Sequence, residues 1–119
     1  MKENVSADKS LGFAIKIIEL YKDLTSNKKE FVLSKQLLRS ATAIGALIRE
    51  AEHAESKADF LHKMNIALKE ARETSYWLLL LYKGNYMSEI VYQEYNNDCL
   101  ELVKLLASIV KTTKANLRK

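Results

Sequence analysis

Apolar residues recur at alternating three- and four-residue steps through most of the chain. Between Phe31 and Ala54, Leu37, Ala41, Ile44, Ile48 and Ala51 fall on one face of a helix, with Leu38, Leu47 and Ala54 in a parallel row. The same period places Phe13, Ile17, Leu20 and Leu24 on one stripe of an earlier helix and Leu11, Ala14, Ile18 and Tyr21 on a neighbouring one. Phe60, Met64, Ala67, Ala71, Thr74, Leu78 and Leu81 form a third seam. A fourth contains Val91 or Tyr92, then Tyr95, Cys99, Leu102, Leu106 and Ile109.

Local stop and start signals set the expected boundaries, at about 8–24, 29–55, 57–83 and 88–115. Asp8 or Ser6 can cap the first helix, and Thr25-Ser26-Asn27 is a turn of residues that compete for backbone hydrogen bonds. Ser56 with Asp59 forms a capping-box variant, Gly84-Asn85 offers a positive-φ termination, and Ser88 can cap the last helix. The connections are short, so consecutive helices must be antiparallel neighbours. The expected architecture is an all-α, antiparallel up-down-up-down four-helix bundle in a single domain, 1–119.

Two features exceed what one bundle needs. Trp77 to Leu81 are five consecutive apolar residues, which go all the way round a helix, and the first helix carries a double stripe. Both predict self-association, through Phe13, Ile17, Trp77 and Leu80.

Composition agrees with helix: the 119 residues include no Pro and three Gly. A single cysteine, Cys99, excludes an intramolecular disulfide and a four-thiolate zinc site within one chain. The first thirty residues lack the apolar centre of a signal peptide, and no apolar run is long enough to span a bilayer, so a cytoplasmic protein with no membrane partner is expected.

Charge changes the picture more. The formal net charge is +4, but residues 84–101 hold four acidic and no basic groups, whereas 102–119 hold five basic and no acidic ones. Lys104, Lys111 and Arg118 are seven apart and share one outward face, flanked by Lys114. Lys69, Arg72 and Lys83 with Tyr76 make a comparable stripe on the third helix. Lys69, Arg72, Lys104, Lys111, Lys114 and Arg118 are therefore candidates for contact with the phosphates of RNA or DNA.

Candidates for chemistry are weaker. Glu50-Ala51-Glu52-His53 has the Glu-x-x-His spacing of di-iron bundles and Asp59-Phe60-Leu61-His62 is a looser copy. Both histidines flank one helix turn at a bundle end, so a solvated charged face is expected, with no metal and no cofactor. Cys99 lies on a buried seam, where a thiol is normally inert, and no Gly-rich phosphate loop exists. Arg39, Glu50 and Glu73 sit at the flanks of their helices' apolar rows. Antiparallel packing of the second and third helices is expected to pair Arg39 with at least one of the two carboxylates, holding the register.

Gln36-Leu37-Leu38-Arg39, Ala43-Ile44-Gly45-Ala46-Leu47-Ile48-Arg49-Glu50-Ala51, Asp59-Phe60, Ile66-Ala67-Leu68 and Glu73 together resemble the four-helix-bundle family encoded by intervening sequences in 23S rRNA genes. The resemblance covers nearly the whole chain and implies an antiparallel bundle assembled as a homopentamer. It is similar, further, to the accessory protein of diversity-generating retroelements, a basic pentameric barrel that binds nucleic acid and a reverse transcriptase. Arg39, Gly45, Glu50 and Glu73 match the family pattern, whereas Ala43 and Leu47 stand where it usually has Ser and Asn. The expectation is a non-enzymatic homo-oligomer that binds RNA, with a protein-interaction scaffold as the alternative.

Overall fold

The computed structural model describes residues 4–118, which form four helices and no strand: α1 (Val5–Ser26), α2 (Leu33–Glu52), α3 (Lys57–Lys83) and α4 (Glu89–Leu117). Lys119, counted above with the C-terminal basic group, lies outside the described residues. Each start has an identifiable cap. The α1 cap is Asn4, rather than Asp8 or Ser6; its Oδ1 accepts from the Ala7 N–H at 3.0 Å and its Nδ2 donates to Glu52 at 2.7 Å. One side chain thus satisfies a free helix N–H and ties the start of α1 to the end of α2. Ser56 accepts from the Asp59 N–H, while Asp59 accepts from the Glu55 N–H, and Ser88 accepts from the Val91 N–H.

Helix α2 begins at Leu33, later than residue 29, because Lys29 takes a left-handed φ of 55° and Glu30 then folds over the helix start. The Glu30 carboxylate accepts from the backbone N–H groups of Val32, Leu33 and Ser34 at 3.1, 3.0 and 2.6 Å, and the Ser34 hydroxyl donates back to the Glu30 carbonyl at 2.8 Å. Glu30 is buried. Burial pushes its carboxyl up, but the three N–H bonds and the Ser34 hydroxyl outweigh this and hold it below the usual range. At the end of α3 the positive φ belongs to Asn85 (68°) alone; Gly84 keeps a negative φ of −81°.

Cross-helix contacts establish the direction of packing. Asn4 meets Glu52 and Ser10 meets Gly45; Arg39 meets Glu73 and Lys63 meets Glu50; Cys99 donates to the Ala71 carbonyl and Ser75 to Asn96; Lys9 meets Glu101 and Lys16 meets Asp98. In every pair one residue number rises as the other falls, so each neighbouring pair is antiparallel and α4 returns to lie beside α1. Ile17, Leu24, Leu37, Ile44, Ile48, Met64, Leu78, Leu81, Leu102 and Leu106 fill the core. Phe13 and Ile17, expected at an oligomer interface, belong to this core, at 4% and 0% exposure. The stripe left outside on α1 is Leu11, Ile15 and Ile18, at 48%, 53% and 39%. Trp77 and Leu80 are half-buried, because Leu78 and Leu81 take the inward positions of that run.

The α1–α4 seam is the loosest. An open groove of about 220 Å³ lies along it, lined by Gly12, Phe13 and Leu102 and bridged by the Lys9–Glu101 and Lys16–Asp98 pairs; Lys16 also meets Glu94. The Tyr95 hydroxyl adds a bond to the Lys16 carbonyl at 3.2 Å. The α1–α2 contact is tight by contrast: a Cβ on Gly45 would stand 3.2 Å from the Ser10 hydroxyl oxygen, which itself donates to the Ala7 carbonyl at 2.9 Å.

Four outcomes are expected. Gly12→Ala, whose Cβ meets nothing within 4 Å, should stabilise the protein by up to about 1 kcal/mol through helix propensity. Gly45→Ala should gain less, and a double-mutant cycle in urea should show it more favourable in a Ser10→Ala background. Glu30→Ala should cost about 1–2 kcal/mol, leaving helix N–H groups unmet. The Glu30 carboxyl is held low in the folded state, so the unfolded chain binds its proton more readily. Its stabilisation is complete above the ordinary carboxylate range and is lost as pH falls through the lowered folded value, so acid unfolding of Glu30→Gln should be shallower than that of the parent.

Candidate nucleic-acid interface

Helix α4 separates its charges by side. Glu94, Asp98 and Glu101 turn toward α1, where Lys16 and Lys9 meet them at 2.5–3.2 Å. The Asp98 carboxylate, against burial and with help from Glu94, holds the Lys16 ammonium above its ordinary range. Two lysines thus offset most of the three negative charges on this side.

The other side of α4 faces α3, as the Ser75–Asn96 bond at 2.7 Å marks. At about 100° of rotation per residue, Lys57 is in phase with Ser75 and Lys114 with Asn96, while Arg72, Tyr76 and Lys83 lie within about 100° of Ser75. By the same count Lys104, Lys111 and Arg118 lie within about 80° of Asn96, and Lys69 about 120° from Ser75. All these cations, and Tyr76, are exposed. Among the described residues none of the cations has a carboxylate within ion-pair distance.

The register of the seam divides the candidates into two groups. Cys99 opposite Ala71 puts Lys69 and Arg72 level with the middle of α4, within about two turns of Lys104 along the axis. Lys111, Lys114 and Arg118 lie on the turns of α4 beyond Val110, its last buried residue, and these run past the N-terminus of α1. Lys57 joins this end group, opposite Lys114. Its sequence surroundings mark it only as a helix start, and the antiparallel register alone brings it to the seam.

Arg39 reaches Glu73 and, at 3.3 Å, Glu70, both on α3. Glu50 is not part of this cluster; it takes Lys63 at 3.3 Å, three turns further along α2. Beside the Arg39 cluster the Ser40 and Thr74 hydroxyls lie 2.8 Å apart in the core, and the Trp77 indole donates to Glu73 at 3.2 Å. Arg39 is half exposed, so the cluster's contribution is geometric more than energetic. Ala43 and Leu47 are half-buried, and Leu47 packs against the core.

Groups considered for catalysis are dispersed. No three of the described His, Cys, Asp and Glu residues are placed to hold one metal ion. Burial, with a smaller push from Asp98, raises the Cys99 thiol to about 12, so it is protonated at neutral pH and makes no nucleophile. No described helix is long and apolar enough to cross a membrane.

The chain is similar over 93% of its length to a protein of unknown function from the S23 ribosomal protein family of Bacteroides thetaiotaomicron, whose crystal structure superposes with a TM-score of 0.90 at 59% identity and is covered over 99% of its own chain. No curated protein matches. The family model of the 23S rRNA-intervening sequence protein matches residues 2–108. That match takes in all of α1, α2 and α3 and every cross-helix pair described above, and the chain therefore belongs to the 23S rRNA-intervening sequence protein family.

Proposed function

We propose that this protein is a non-enzymatic, cytoplasmic homo-oligomer that binds nucleic acid, RNA in particular, through the basic α3–α4 seam. The observation that supports it is charge segregation: Glu94, Asp98 and Glu101 of α4 pair with Lys9 and Lys16 of α1, while Lys69, Arg72, Lys104, Lys111, Lys114 and Arg118, with Lys57, stand exposed and unmatched along the neighbouring seam. Unmatched cations on one side are what a phosphate backbone requires. Assembly is supported by the exposed apolar row Leu11, Ile15 and Ile18 on α1, with Trp77 and Leu80 as a second half-buried area. Five copies is the number implied by the sequence resemblance, and symmetry would sum several modest basic seams into one strong field.

A protein-interaction scaffold is the second reading. It is favoured by Phe31, Val32 and Ile90, which are 59%, 73% and 79% exposed at the same end of the bundle.

Salt separates the two. The protein should retard RNA in a gel at about 50 mM salt and lose that binding steeply by about 200 mM, with Lys69→Glu/Arg72→Glu/Lys104→Glu weakening it at least tenfold at unchanged helicity. No retardation of RNA or DNA at low salt would reject the nucleic-acid reading. Sedimentation should give a mass of several chains at micromolar concentration, reduced by Ile15→Glu; the mass of one chain would reject assembly.

A further inference from the structure

We propose that the basic face of α3 binds single-stranded RNA, with the Tyr76 ring as a platform on which an unpaired base stacks; this rests on the nucleic-acid reading above. Tyr76 is 53% exposed, the most exposed aromatic residue of α3, and it lies within the basic stripe rather than beside it. Arg72 precedes it by four residues, Lys69 and Lys83 flank it at seven, and all share the solvent side of the helix. The stripe from Lys69 to Lys83 is about 21 Å long. A stacked strand advances about 3.4 Å per nucleotide, so the stripe has room for about six.

The ring is also held from behind. Its centroid is 5.5 Å from that of Trp77, tilted by 57°, and the Trp77 indole is anchored by its bond to Glu73, which in turn pairs with Arg39. This chain runs from the α2–α3 contact to the surface and backs the tyrosine with a positioned side chain. The other aromatic groups nearby are already occupied: Tyr82 and Tyr92 stack on each other at 4.8 Å and 8°, and Lys83 covers the Tyr82 ring at 5.4 Å. Of these three tyrosines, Tyr76 is the one with an exposed ring that no neighbour is stacked on. A paired duplex keeps its base faces stacked internally and presents phosphates, 2′-hydroxyls and base edges, whereas a single strand presents phosphates and base faces together. The combination of exposed ring and flanking cations therefore selects the single strand.

The experiment compares a fluorescein-labelled single-stranded RNA of about 12 nucleotides with the same strand annealed to its complement, both at low salt, by anisotropy and by emission of Trp77, the only tryptophan. The single strand should bind more tightly than the duplex and should change Trp77 emission. Tyr76→Ala should weaken the single strand at least about fivefold, the loss of one stacked base, and leave duplex binding unchanged, while Tyr76→Phe should behave as the parent. If both RNAs bind but Tyr76→Ala weakens both equally or neither, base stacking is overturned and the nucleic-acid reading stands. If neither RNA binds the parent protein, that reading fails and the stacking proposal with it. If Tyr76→Ala changes the sedimentation mass, the ring belongs to a subunit contact and the proposal is likewise overturned.

Discussion

Helix α2 must pack closely against α1 on one side and α3 on the other, and its residues meet the two neighbours differently. Toward α1 it presents Gly45, which lets the Ser10 side chain approach so closely that a Cβ there would stand 3.2 Å from its hydroxyl oxygen. Toward α3 it presents Ser40, whose hydroxyl finds Thr74 within the core. Close-packed interiors tolerate little change of volume, and a buried hydroxyl needs its partner, so both contacts admit one register. Sliding α2 by a turn would bury Ser40 against an apolar position and drive a larger side chain into Ser10.

The surface charge layout follows from that register. Once α2 and α3 are locked, Arg39 falls opposite Glu73 and Glu70, and Glu50 falls opposite Lys63. Once α4 is laid along α3 by the Cys99–Ala71 and Ser75–Asn96 bonds, its acidic side has to face α1 and its basic side the α3 seam. Lys9 and Lys16 of α1 then offset most of the first. The second is left exposed, although α4 as a whole carries both signs in nearly equal number. A uniform mixing of the same charges would give no directed field.

Rigidity is distributed unevenly as a consequence. The α1–α2 and α2–α3 contacts are close, whereas α1 and α4 border an open groove and are joined mainly by exposed ion pairs, which contribute little each. Glu30 holds the opposite end, where a buried carboxylate stands in for a missing short cap at the start of α2. Of the two helices that present the basic seam, α3 rests on the close α2–α3 contact, while the turns of α4 beyond Val110 carry no buried residue.

The sequence by itself determined the four helices, the all-α class and most of the inward residues, because periodicity and the caps at Ser56 and Ser88 act within a few residues. Local logic placed the start of α2 too early, since Glu30 acts as a cap from outside the usual cap position and needs the turn at Lys29 to do so. It also assigned Phe13 and Ile17 to an outer surface, because two adjacent stripes on α1 are equivalent until the position of α4 shows which one faces inward. Likewise the candidate cations were legible one helix at a time, while their gathering on one seam, the addition of Lys57, and the separation of Glu50 from Arg39 were decided only by tertiary structure. Rotation about a helix axis and register between helices are set by close packing of non-local side chains, and no local pattern contains them.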